Sequence, residues 1–325
     1  MKIFVIGGAS FIGSHLIRKL LAKRHSVAAL DMHPSIAKKI LPREVTVYSG
    51  DGCHAEEMRD IIQRERPDVV IQADKQNDMS LAVSMPFSCY LSESVRNVFL
   101  LHNLVKNGVK RVIYLSSAAV YGNVDSLPIL LHSPKNPISP IGVSENFVEQ
   151  MLKSFQLSDH LSFSIVRLAN VIGLSENENE YWVQKRCEGL IHSILDYFLG
   201  DRPHVEIYGT SYATVDGTPE RDYIHVDDAC DACIGALDAL WGYEDHLEFN
   251  IGMGRKYSVK DVIQAMEKLF GKKIETVAQY QREGDVGRYY FDHSFACNQL
   301  GWNPKYDTLE AILKTLVPYY RPHMK

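Results

Sequence analysis

Short apolar runs rich in Val and Ile stand at residues 3–6, 27–30, 45–48, 69–73 and 111–115. Between them, at 13–24, 55–65 and 93–107, apolar positions recur at the three-to-four spacing of an amphipathic helix. The alternation predicts a parallel sheet with helices on both faces. Asn107-Gly108 marks the turn into the fifth run. The stretch ISPIGVSENFVEQML (138–152) predicts a further helix, with Ile141, Phe147, Val148, Met151 and Leu152 on one face. Beyond about residue 170 the regularity weakens. Residues 175–186 are polar and read as a loop or short excursion, whereas 226–241 and 258–270 read as helices.

Composition adds mainly exclusions. Lys and Arg number 35 against 40 Asp and Glu, so no basic excess points to a nucleic-acid surface. The apolar run after Met1 is too short for a secretory core, and no run reaches membrane-spanning length. A cytoplasmic protein that engages no membrane is expected. Cys230 and Cys233, two of six cysteines, form a CxxC within a helical pattern without a second ligand pair, which predicts buried thiols rather than a metal site.

The first chemical signal is VIGGASFIGSHLIRKLL. Gly7, Gly8 and Gly13 lie between the first strand and the first helix. Such a loop lets backbone N–H groups and a helix N-terminus approach a pyrophosphate. The candidate cofactor residues are Gly7, Ser10, Phe11, Ile12 and Gly13, with Asp51 and Gly52 after the third strand. Asp31, ending the second strand, is placed to bind ribose hydroxyls, and its charge favours NAD over NADP because it repels a 2′-phosphate. The fold expected is α/β: a Rossmann-type doubly wound parallel sheet over 1–170. A smaller mixed α/β substrate domain follows over 171–325, with room for the two to interleave.

Further motifs run through Gly50-Asp51, LSSAAVYG (115–122), Arg167 with Asn170, YGTSYATVDGTPERDYIHVDDA (208–229), FNIGMGRKYSV (249–259), REGD (282–285) and LGWNPKY (300–306). On these the chain resembles the extended short-chain dehydrogenases/reductases, and within them the UDP-galactose (UDP-glucose) 4-epimerase branch. The resemblance implies oxidation of a sugar hydroxyl by NAD, with a tyrosinate as base, a lysine beside it and a serine orienting the hydroxyl. Ser117 matches the serine, but Ile141 and Glu145 stand where the Tyr and Lys belong. Isoleucine carries no proton, and a carboxylate cannot hold down a neighbouring pKa as a cation does. Ser10 replaces the second glycine of the loop, narrowing the approach to the pyrophosphate. Ala73-Asp74-Lys75 replaces small residues beside the cofactor, and Glu93 replaces an asparagine near the nicotinamide.

The nucleotide side keeps its residues. By resemblance, Asn170, Arg221, Arg282 and Asp285 bind a uridine diphosphate, and Tyr289 gates sugar size against a 2-acetamido group. Two arginines facing an empty site would repel each other unless an acid stood between them. Two functions stay open: an active UDP-sugar enzyme using Glu145 or Tyr121 with Ser117, or a non-catalytic NAD and UDP-sugar binder. The Ala118-Ala119 pair argues against a dehydratase, and enzymic chemistry outside redox is a minor third possibility. A homodimer is expected.

Overall fold

In the computed structural model, residues 1–75, 78–176, 189–242 and 245–324 are described. Each of the five predicted runs forms a strand: β1 (Lys2–Ile6), β2 (Ser26–Asp31), β3 (Thr46–Ser49), β4 (Val69–Gln72) and β5 (Arg111–Ser117). With β6 (Ser162–Leu168) and β10 (His246–Ile251) they make one parallel sheet in the order β10-β6-β5-β4-β1-β2-β3. The order reverses between β1 and β4, which opens a crevice at their carboxyl ends, the usual ligand position in doubly wound sheets.

The sheet buries both faces, which is why its strands read as continuous apolar runs. Helix α1 (Phe11–Ala22) and the helix Val226–Trp241 lie together on one side. Cys230 and Cys233 sit inside that layer, where burial pushes both thiols up, Cys233 to about 12. The other side carries α3 (Ala55–Glu65), α6 (Arg96–Lys106) and α7 (Pro140–Asp159). Helices α2 (Pro34–Ile40), α4 (Met79–Ser84) and α5 (Pro86–Tyr90) are short. The predicted helix 93–107 is compound: Leu91–Val95 winds as a π-turn before α6 begins. That turn points Glu93 inward, to 3% exposure.

The second half of the chain also builds the main sheet. Strand β10 pairs with β6, and Arg167 of β6 binds both oxygens of Glu149 on α7 at 2.9 Å while also pairing with Glu248 of β10. Lys135 and Ser116 complete the partners of Glu149 at 2.5 and 2.7 Å. Buried charges are tolerable only with such saturation. Beyond β6 the chain also forms two small sheets, β7 (Asn170–Ile172) with β9 (Glu220–His225) and β11 (Lys256–Ser258), and β8 (Val205–Tyr208) with β12 (Thr276–Gln279). Of the polar segment 175–186, only Ser175 and Glu176 are among the described residues. No helix among the described residues is long and apolar enough to cross a membrane.

Candidate active site

The phosphate loop leaves β1 through Gly7, at φ +78°, where an added Cβ would lie 2.5 Å from the Cβ of Asp74. Gly13 is forced by contact as well, since a side chain there would collide with the Gly7 carbonyl. Ser10 caps α1: its Oγ accepts from Gly13 N at 3.0 Å and donates to Ala73 O at 3.0 Å. The serine therefore consumes one of the N–H groups the helix start would otherwise offer an anion. Phe11 and Ile12 open the helix behind it. Asp31 is buried and oriented by Ala9 N at 2.6 Å and His33 N at 2.7 Å. Asp51 accepts from Cys53 N at 2.8 Å, and Gly52 packs against Leu100 at φ +85°.

Helix α7 approaches the crevice because Ser139 caps it (Gly142 N to Oγ, 3.1 Å) and because Gly142 leaves room for the Ala119 carbonyl. Ile141 is buried against Ala82 and Cys89. Glu145, one turn on, is 2% exposed and bound on both oxygens. Oε2 accepts from Ser117 Oγ at 2.5 Å, and Oε1 pairs with the Lys75 ammonium, which also lies 5.7 Å over the Tyr114 ring. In this pair the acid stands on the helix and the cation comes from the loop after β4. Lys75 reads in the sequence as a departure from small residues; its pairing with Glu145 does not. A lysine at 75 and a glutamate at 145, each at odds with what the resemblance implies, were the available signal.

Tyr121 does not join this group. It is fully buried, donates to Asn250 Oδ1 at 2.8 Å and accepts from Arg167 Nη1 at 3.1 Å. Burial pushes its pKa up, so the hydroxyl stays protonated and structural. Next to the Lys75–Glu145 pair lies a second ion pair, Arg96 to Asp74 at 2.5 Å, which the sequence reading misses altogether. Glu93 is buried near all four charges, and burial raises it to about 7.

The nucleotide-side residues converge. Asp285 accepts from Arg221 Nη2 at 3.1 Å and Arg282 Nε at 3.3 Å, so it is the acid required between two arginines. Arg282 stacks over Tyr208 at 4.2 Å and donates to Ser80 Oγ on α4 at 3.0 Å. Tyr289 donates to Asn170 Oδ1 at 2.9 Å and lies under Arg221 at 5.5 Å. Gly284, at φ +75°, brings this turn against Ile138 and Ser139, next to the start of α7.

The geometry agrees with what the chain is similar to. Residues 3–252 match the model of the NAD dependent epimerase/dehydratase family. The UDP-glucose 4-epimerase of Azospirillum brasilense is 31% identical over 98% of this chain and 92% of its own length. That of Neisseria meningitidis serogroup C is 32% identical, covering 96% of this chain and 95% of its own. Among solved structures, the Bifidobacterium longum UDP-glucose 4-epimerase in complex with NAD+ and UDP superposes with TM-score 0.89 at 28% identity, over 98% of both chains. The Stenotrophomonas maltophila enzyme, with bound NAD and formylated UDP-arabinopyranose, gives 0.87 at 26%, over 99% of this chain and 98% of that one. The sheet order, the glycine loop and the matched length together place this chain in the NAD dependent epimerase/dehydratase family, with UDP-glucose 4-epimerases among its relatives.

Proposed function

We propose that the chain is an NAD-dependent UDP-hexose epimerase-type protein in which Ser117 and Glu145 replace tyrosine-based proton transfer. The observation that carries this reading is the line from Ser117 Oγ–H to the Glu145 carboxylate to the Lys75 ammonium. NAD fits the adenosine end: Asp31 is pre-oriented by two backbone N–H groups, and Gly7 and Gly13 leave no space for a side chain. When bound, it supplies hydride exchange at the sugar carbon.

The protein's own residues handle the proton. A substrate hydroxyl held at Ser117 passes its proton to Oγ as the serine proton moves to Glu145 Oε2. Glu145 is too buried to act except through the serine. Lys75 fixes the orientation of the carboxylate. Without a tyrosine base at the substrate, turnover should fall ~10²–10⁴ below that of a relative with a positioned general base. Arg221 and Arg282 hold the diphosphate, and Asn170, Asp285 and Tyr289 define the uridine and sugar pockets. The apolar stripes on α5, α6 and α7 seat a second copy of the chain.

A competing reading, binding without turnover, draws on Ile141. It packs as core against Ala82 and Cys89 and carries no ionisable group. Interconversion of UDP-glucose and UDP-galactose separates the two. Slow turnover is expected, abolished in Glu145→Gln/Lys75→Met, which removes the ion pair as a unit. The gain-of-function arm is Ile141→Tyr/Glu145→Lys/Lys75→Gly; without the third change the new lysine would face Lys75. Undetectable wild-type turnover together with a rescued triple variant would establish the binder. Residual activity unaffected by loss of Glu145 would sink the serine relay.

A further inference from the structure

We propose that Arg96 is an additional phosphate ligand of the cofactor crevice, held by Asp74 until a pyrophosphate arrives. It rests on the NAD reading above but concerns a residue that neither the glycine loop nor the substrate motifs contain. Arg96 is 7% exposed and starts α6, and its guanidinium lies among three loops. Nη1 meets Asp74 Oδ2 at 2.5 Å after β4 and Met32 Sδ at 3.9 Å after β2, and the charge is felt by Cys53 after β3. These loops rim the carboxyl ends of the strands that flank the phosphate loop, and Asp74 itself packs on Gly7. The guanidinium and the α1 N-terminus therefore share one crevice.

The guanidinium is incompletely satisfied. Its Nε–H is buried and meets no acceptor among the described residues. A buried donor without a partner is costly, and a planar fork using one arm on a carboxylate retains a second for an anion. A pyrophosphate oxygen supplies the missing acceptor and brings charge that outcompetes a single carboxylate. The chain has lost a lysine at 145 and given one loop N–H to Ser10. Arg96 restores a cation to the same crevice from another helix.

Calorimetry with NAD and with ADP, which carries the diphosphate but no nicotinamide, tests the assignment. Arg96→Gln should weaken both by about ten- to a hundred-fold, the scale of a lost hydrogen bond to a charged group. Asp74→Asn should tighten both, because it frees the guanidinium and removes a repelling carboxylate. Arg96→Gln/Asp74→Asn leaves no unpaired charge and should bind as weakly as Arg96→Gln, with melting temperature reporting its fold. Equal or tighter binding by the two Arg96→Gln proteins would overturn the proposal and make the side chain a plug. If wild type and Asp74→Asn both fail to bind NAD or ADP at millimolar concentration, the cofactor reading falls instead.

Discussion

Glu93 shows how much a single inward-facing acid costs. The groups facing it are Arg96 on its own helical run, Asp74 and Lys75 from the loop after β4, and Glu145 from α7. Burial outweighs the two cations and raises its pKa from 4.5 to about 7. The folded protein thus holds this proton over a range where the unfolded chain has released it. Stability from this group is full below about pH 4.5, declines as pH rises, and is lost above about 7. The shift corresponds to a penalty on the order of 3 kcal/mol at pH 8. Denaturant titration of Glu93→Gln should therefore show a gain over wild type at pH 8 that vanishes at pH 4. A pH-independent difference would mean that Arg96 and Lys75 neutralise the carboxylate fully. Position 93 is legible in the sequence as a departure from asparagine; its burial is not, because a π-turn changes which face the residue takes.

At the scale of elements, strand–helix alternation was easy to read because both sheet faces are buried, leaving runs such as VVI (69–71) and VIYL (112–115) without polar interruption. The later strands hid for opposite reasons. Strand β6, SFSIVRL, carries a buried arginine whose counter-ions come from α7 and β10, and β10 opens with exposed His246. The helices on the α7 side leave a different trace. Phe87, Leu91, Val95 and Phe99 recur every four residues and stay exposed, as do Val143 and Phe147 on neighbouring α7. Apolar stripes on adjacent helices, unburied within one chain, suit a two-fold contact in which the same patch meets itself. Light scattering should give twice the chain mass, and Phe99→Glu/Phe147→Glu should give a folded monomer. A wild-type monomer at micromolar concentration would remove the dimer.

For the molecule as a whole, the cluster around Asp285 was legible and the surroundings of Glu145 were not. Arg221, Arg282 and Asp285 sit in short motifs that the fold gathers, whereas the Lys75–Glu145 pair spans seventy residues and leaves no local pattern. On the proposed reading, thermal stabilisation by UDP and UDP-glucose is expected, weaker in Arg282→Ala, and less by UDP-N-acetylglucosamine, because Tyr289 is a bulky buried ring fixed on Asn170. A preference for the N-acetyl sugar would remove the gate, and no response to any uridine nucleotide would remove the pocket. One architectural detail reaches further. Because β10 pairs with β6 and Glu248 is a counter-ion of Arg167, residues 1–170 expressed alone are expected to be less stable than the same residues in the whole chain. A fragment ending at residue 170 would carry a newly bared strand edge and a guanidinium short of one counter-ion, and the whole chain is expected to unfold in a single transition.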